Sequence, residues 1–401
     1  MKTTLKDLAY LGGTAAFEQA LHVGRPNIGD RVALMARIED MLDRRWFTNN
    51  GPYVQEFEQR IAALCQVKHC VAMTNGTIAQ EIAVRAAGIQ GEVILPSFTF
   101  IATAHALQWQ EITPVFCDVA PGSHHIDPNR VEDMITPRTT AIIGVHVWGA
   151  PCPIDELTEI ANRRGLRLIF DAAHALGCSY KGRMIGGFGA AEFLSFHATK
   201  FLNSFEGGAV VTNDDALADR MRYMRNFGFA GLDRVDYVGT NGKMTEIAAA
   251  MGLTSLDCLA EIVASNQRNY RAYQAGLTGI PGIKLFAYDE TEHNNFQYVI
   301  LEIDAAVTGI TRDLIVQLLH AENILARRYF YPGCHQMEPY RSYFPHARLL
   351  LSETEELTQK VLSLPSGTAV TEADIHEICR LIHFILANGQ AITEKANSHE
   401  A

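Results

Sequence analysis

With 401 residues, 44.3 kDa, 48% hydrophobic and 20% charged residues, the chain has material for a large core and a second, smaller unit. Its formal charge of −11 and the lack of any long basic run argue against a nucleic-acid or membrane-surface partner. No apolar stretch reaches the roughly 18 residues of a membrane span, residues 1–6 open no signal-like apolar region, and the eight cysteines form no Cys-x-x-Cys pair, so a cytoplasmic protein with reduced thiols is expected.

From residue 30 the apolar positions Val32, Met35, Ile38, Met41 and Leu42 recur at helical spacing, and Gly51-Pro52 opens a second helix with Val54, Phe57, Ile61 and Leu64 on one face. Short, branched, nearly continuous apolar runs follow at 71–73, 93–95, 114–116, 141–145, 166–170, 193–196 and 209–211, the pattern of strands covered on both faces. Helix-length segments at 79–88, 102–110 and 155–164 separate several of them, which predicts an α/β fold with a mostly parallel seven-stranded sheet wrapped by helices. After about residue 255 the pattern changes. A helix over 260–275, an alternating strand over 296–303 and helices near 312–321 and 371–387 predict a smaller α+β domain at 256–401, beside a large ligand-binding domain at 1–255 with its N-terminal helical segment. Residues around 393–398 lose apolar periodicity and are expected to fray.

Open α/β sheets bind ligands beyond the carboxyl ends of their strands, so the residues just after the apolar runs carry the interest. Thr74-Asn75-Gly76-Thr77 leads into a helix, where small residues let backbone N–H groups approach an anion at the positive helix end. Pro96-Ser97-Phe98-Thr99-Phe100 brings an aromatic ring, Phe100, over the same edge, able to stack on a flat heteroaromatic ring. Asp171 ends an apolar strand, where a carboxylate needs a cationic or hydrogen-bonding partner. Lys200 follows another such strand, with Ser195 before it and Gly207-Gly208 after it. Taken singly, each has a plainer explanation: a helix N-cap, a core phenylalanine, a structural salt bridge, a lysine reaching to solvent. Together, an amine that can form a Schiff base and a carboxylate that can keep a pyridine nitrogen protonated point to pyridoxal-phosphate chemistry.

Two other chemistries fit less well. A nicotinamide dehydrogenase suits a parallel sheet, but Gly186-Gly187-Phe188-Gly189-Ala190-Ala191-Glu192 lacks the closing glycine or alanine and precedes a strand. The adjacent His124 and His125 have no cysteine pair to join them, so they read as a solvent-exposed turn, and no metal is expected.

At this point the chain resembles the DegT/DnrJ/EryC1/StrS family of pyridoxal-phosphate-dependent nucleotide-sugar aminotransferases. The resemblance covers residues 24–390 and is carried by Asn75-Gly76-Thr77, Pro96-Ser97-Phe98-Thr99-Phe100, Asp171-Ala172-Ala173-His174-Ala175, Ser195-Phe196-His197-Ala198-Thr199-Lys200, Glu206-Gly207-Gly208-Ala209-Val210 and Gly239-Thr240-Asn241-Gly242-Lys243-Met244-Thr245-Glu246. It implies an aspartate-aminotransferase-like fold (fold type I) in which Lys200 holds pyridoxal 5′-phosphate covalently, Asp171 pairs with its pyridine nitrogen and His174 lies beside its phenolic oxygen. Gly76, Thr77 and Ser195 would hold the phosphate, Phe100 would stack on the ring, and Asn241 would reach the phosphate of a neighbouring subunit in a homodimer with shared sites. One departure is Phe205 in Phe205-Glu206-Gly207-Gly208, where many relatives have glycine.

Together with the segment Arg327-Arg328-Tyr329-Phe330-Tyr331-Pro332-Gly333-Cys334-His335, the resemblance is closest to the branch that aminates dTDP-4-keto-6-deoxyglucose at C4. L-glutamate is then the expected donor, with pyridoxamine 5′-phosphate as the intermediate form of the cofactor and dTDP-4-amino-4,6-dideoxy-D-glucose as the product. Arg328, Tyr329 and His335 are the candidates for touching the sugar, a domain-packing loop being the alternative for that segment. Amination at C3 by a related branch, dehydration by a branch that replaces the lysine with histidine, and a non-catalytic sensor are the competing activities.

Overall fold

Neighbouring residues of a strand face opposite ways, so runs that are apolar throughout must be covered twice. That is how seven strands are used: β1 (His69–Met73), β2 (Glu92–Pro96), β3 (Thr113–Cys117), β4 (Thr139–Val145), β5 (Arg167–Asp171), β6 (Ala191–Ser195) and β7 (Gly208–Thr212) form one sheet in the order β1-β7-β6-β5-β4-β2-β3. Only β7 runs against its neighbours. Val71, Val93, Ile143 and Ile169 enter one core layer, while Ala72, Ile94, Ile142 and Phe170 enter the layer on the opposite face. The computed structural model describes residues 2–400, with side chains through Asn397.

Helices cover both faces. Helix α1 (Arg31–Arg44) starts where the Asp30 carboxylate accepts from the Val32 and Ala33 N–H groups, and α2 (Pro52–Leu64) starts on its proline. Helix α3 (Gly76–Ala86) follows β1, and α4 (Ala102–Gln108) follows β2. Val54, Phe57 and Ile61 of α2 are buried as their spacing predicts. The stripe on α1 is buried only in part: Met41 is buried, but Val32 is 79% exposed, Met35 and Leu42 are also exposed, and Leu34, outside the stripe, is buried.

A second, three-stranded antiparallel sheet joins β8 (Ile283–Leu285), β9 (Val299–Ile303) and β10 (Val361–Leu364). The long helices Leu259–Leu277 and Glu372–Ala387 pack on it, and Tyr273, Val299, Leu301, Leu362 and Ile378 share its core. The strand expected over 296–303 begins only at Val299, because Phe296 turns the backbone at φ 49°. The N-terminal segment, grouped by sequence with the large unit, packs here: Leu8 is fully buried in this core, Leu21–His22 pairs in parallel with Ile324–Leu325, and Glu322 accepts from Ala9 and Ala16 N–H at 2.8 and 2.7 Å. The expected fraying at the far end is replaced by a helix, Gly389–Glu400, anchored by buried Ile392.

Candidate active site

Residues at or just beyond the carboxyl ends of β1, β2, β4, β5 and β6 line a single cavity of about 520 Å3. Strand register brings them level: Val145 pairs with Asp171, Asp171 with Phe193, and Gly208 lies between Ser195 and Met73. Lys200, Asp171, His174, Gly76, Thr77, Phe100, Ser195 and Tyr329 all reach this cavity.

Lys200 is half-buried and lines the cavity, and its Nζ makes a long contact to the Tyr298 hydroxyl at 3.4 Å. Burial lowers its ammonium to about 8, against the opposing pull of the Asp171 carboxylate. Asp171 is buried at the end of β5, where Oδ1 accepts from the Ala173 N–H at 3.0 Å and Oδ2 accepts from the Thr103 hydroxyl at 2.8 Å. Burial still pushes this carboxyl up; those hydrogen bonds and Lys200 oppose the shift without cancelling it. His174 accepts the Trp148 N–H on Nδ1 at 3.3 Å, and burial, aided by Lys200, holds its ring well below the ordinary histidine range.

The N-terminus of α3 also opens onto the cavity. Asn75 caps it by accepting the Ile78 N–H at 2.9 Å. A Cβ on Gly208 would lie 2.4 Å from the Asn75 carbonyl, so that glycine is required by close approach, while one on Gly76 would fit tightly, 3.1 Å from that of Ser195. Phe98 is the core phenylalanine of its segment; Phe100 is 55% exposed, with its ring against the cavity. Asn241 is exposed and lies outside the cavity of its own chain.

The three sugar-contact candidates separate. Tyr329 lines the cavity, but Arg328 turns away to Asp313 at 3.0 Å and covers the Tyr331 ring. His335 is buried between the Ser97 hydroxyl at 2.6 Å and Glu355 at 2.7 Å, and borders a different cavity with Arg341, His346 and Arg348. Arg327, not singled out by sequence, lines the main cavity instead. Sequence reasoning also missed Thr103 and Tyr298. Thr103 stands one helical turn after Phe100, a signal that was available; Tyr298 lies just before β9 of the second sheet and had none. The expected exposed turn at His124 is corrected, since that ring is only 2% exposed, and His125 is half-buried.

The sequence pattern of the DegT/DnrJ/EryC1/StrS aminotransferase family matches residues 30–383. The chain is 35% identical over 366 residues to the dTDP-4-amino-4,6-dideoxy-D-glucose transaminase of Escherichia coli, covering 91% of this chain and 98% of that protein. It is also 35% identical to the GDP-perosamine synthase of Caulobacter vibrioides, covering 86% and 94% of the two chains. Among solved structures, DesI crystallised in the presence of its TDP-sugar product superposes with a TM-score of 0.95 at 50% identity, covering 98% of this chain and 100% of that one.

Proposed function

Because the chain belongs to the DegT/DnrJ/EryC1/StrS aminotransferase family, we propose that it carries an amino group from L-glutamate to dTDP-4-keto-6-deoxy-D-glucose, giving dTDP-4-amino-4,6-dideoxy-D-glucose, with pyridoxal 5′-phosphate held in the 520 Å3 cavity. The observation that carries this reading is the meeting of a Lys200 amine held near 8 and a buried, elevated Asp171 carboxyl in one cavity.

The residues fit the coenzyme. An elevated buried carboxyl suits a cationic ring nitrogen as partner, the Gly76–Thr77 end of α3 with Ser195 suits a phosphate, and the open face of Phe100 suits a flat ring. When bound, the coenzyme supplies an aldehyde for the lysine and an electron sink for the substrate carbon. Asp171 keeps the proton on the pyridine nitrogen. Lys200, once free, takes a proton from the donor α-carbon as 2-oxoglutarate is made and later returns one to the sugar carbon that receives the nitrogen. That role needs a neutral amine; an amine held near 8 is about one-tenth neutral at pH 7, against a far smaller share for an ordinary lysine. His174 would lie beside the coenzyme's phenolic oxygen, and Tyr329 and Arg327, which line the cavity from the chain beyond residue 255, would be available to the sugar.

The reading includes a cytoplasmic homodimer with shared sites. The exposed apolar stripe Val32, Met35 and Leu42, continued by Trp46 and Phe47, supports a subunit interface, and the position of Asn241 outside its own cavity supports its reaching the partner. The likeness to GDP-perosamine synthase favours a second reading, a GDP-linked keto sugar. A panel of dTDP-, UDP- and GDP-linked keto sugars with glutamate, read by mass spectrometry, separates the two: amination of the dTDP sugar supports the first, preference for the GDP sugar the second. No 2-oxoglutarate with any of them would remove both.

A further inference from the structure

Trp148 combines features that call for a cause. It is fully buried, and its backbone sits at φ 62°, ψ 4°, a left-handed conformation unusual for a bulky residue. Side-chain anchors hold it there. Its indole Nε1–H donates to His124 Nδ1 at 2.7 Å, its carbonyl accepts from the Tyr288 hydroxyl at 3.2 Å, and its ring stacks on Phe330 at 5.2 Å.

The proton positions follow from which groups are able only to donate. An indole nitrogen has no lone pair to offer, so His124 Nδ1 is an acceptor and the ring proton resides on Nε2. That nitrogen lies 3.2 Å from Glu302 Oε1, which also takes Lys284 Nζ at 2.9 Å. Burial alone would raise the Glu302 carboxyl, but the hydrogen bonds from His124 and Lys284 outweigh it and hold it down at about 2. The same logic repeats at the cavity. The Trp148 backbone N–H is a donor, so His174 Nδ1 accepts and the proton of the neutral His174 ring lies on Nε2.

We infer that Glu302, His124 and Trp148 form a tautomer relay that fixes the orientation and proton position of His174. Glu302 selects the tautomer of His124, His124 anchors the indole, the anchored indole holds the backbone of Trp148 in its left-handed state, and that backbone selects the tautomer of His174. All three are positioning residues, since of Glu302, His124, Trp148 and His174 only His174 lines the cavity. The relay also ties the two sheets together: Glu302 and Lys284 are paired across β9 and β8, while His124 follows β3 and Trp148 follows β4. Its effect on a bound coenzyme rests on the reading of the cavity given above; the proton position of His174 does not.

The test uses the full chain labelled with 15N-histidine, without added coenzyme, because ring-nitrogen shifts distinguish the two neutral tautomers. His174 is assigned by the signals lost in His174→Asn. Wild type is expected to carry the proton on Nε2. In His124→Phe, which removes the acceptor, and in Trp148→Phe, which removes the donor but keeps an aromatic ring in the stack, His174 is expected to become a mixture of tautomers. His124→Gln, whose amide oxygen accepts the indole hydrogen, is expected to restore the wild-type pattern. If His124→Phe does not fold, Trp148→Phe makes the same comparison. A second readout is the ratio of the absorption bands of bound pyridoxal phosphate, expected to change severalfold in the two phenylalanine variants and to recover in His124→Gln. A His174 proton on Nδ1 in wild type, or an unchanged Nε2 proton in Trp148→Phe, overturns the relay. Failure of the coenzyme to bind would instead count against the cavity reading and leave the NMR result to decide the relay.

Discussion

Lys200 is the side chain whose charge state governs the proposed chemistry, and the direction of its pH dependence is fixed by its surroundings. Burial favours the neutral amine and brings the group down to about 8, so the reactive fraction is small at pH 6, half at about 8, and saturated above. The rate at which coenzyme-free protein captures pyridoxal phosphate is therefore expected to rise with pH and level off just above 8, followed by stopped-flow absorbance. Lys200→Ala should show no such capture and no turnover; full transamination by that variant would end the proposal. A second prediction concerns Phe205, which occupies a left-handed position at φ 62° where many relatives are expected to have glycine. A left-handed conformation costs a non-glycine residue roughly 1–2 kcal/mol, while glycine costs roughly 0.5–1 kcal/mol in lost unfolded-chain freedom. Phe205→Gly should thus leave stability unchanged or raise it by up to about 1 kcal/mol, a result that thermal unfolding would reveal. At this scale the lysine, aspartate and glycine motifs were legible because their chemistry demands those residue types. Arg328 was chosen where Arg327 lines the cavity, because their facing is set by a backbone bridge between Arg327 and Ser363, far away in the chain.

The elements decide how tightly the proposed phosphate end is built. Strands β1, β7 and β6 lie side by side, and the start of α3 passes directly over Gly208. An added Cβ there would meet the backbone of Asn75 at 2.4 Å and the Gly76 nitrogen at 2.5 Å, atoms that move only if the helix does. Gly208→Ala is expected to cost about 1–3 kcal/mol of stability and to weaken coenzyme affinity about tenfold, by equilibrium titration. Unaltered affinity would mean that this helix end does not contact the phosphate. The seven strands were readable from sequence because double coverage leaves an unbroken apolar run. Helix α1 was readable as a helix but not in its facing: periodicity reports an apolar stripe, not what covers it. The strand over 296–303 was misjudged at its start because Asn295 is tied to the His174 carbonyl at 2.8 Å and the Leu176 carbonyl at 3.1 Å, and the chain turns at Phe296 before pairing begins. No local pattern announces an anchor 119 residues away.

At the level of the whole molecule, the pieces of the cavity come from distant parts of the chain. The N-terminal segment reaches the second sheet through Glu322, and Val23, just beyond it, reaches the cavity edge. No single stretch of sequence contains the whole site, which is why motifs located the chemistry while the sugar-facing residues stayed ambiguous. The same argument extends to a second copy. If Asn241 completes the site of a partner, then Lys200→Ala and Asn241→Asp are each inactive as homodimers, the second because a carboxylate would face the phosphate. A hybrid of the two concentrates both defects in one site and leaves the other intact. Equal mixing with subunit exchange gives hybrids as half of all dimers, so about one quarter of wild-type activity should return. Activity in the mixture no greater than the mean of the two parents would mean that each chain builds its site alone, and the exposed stripe on α1 would then need another explanation.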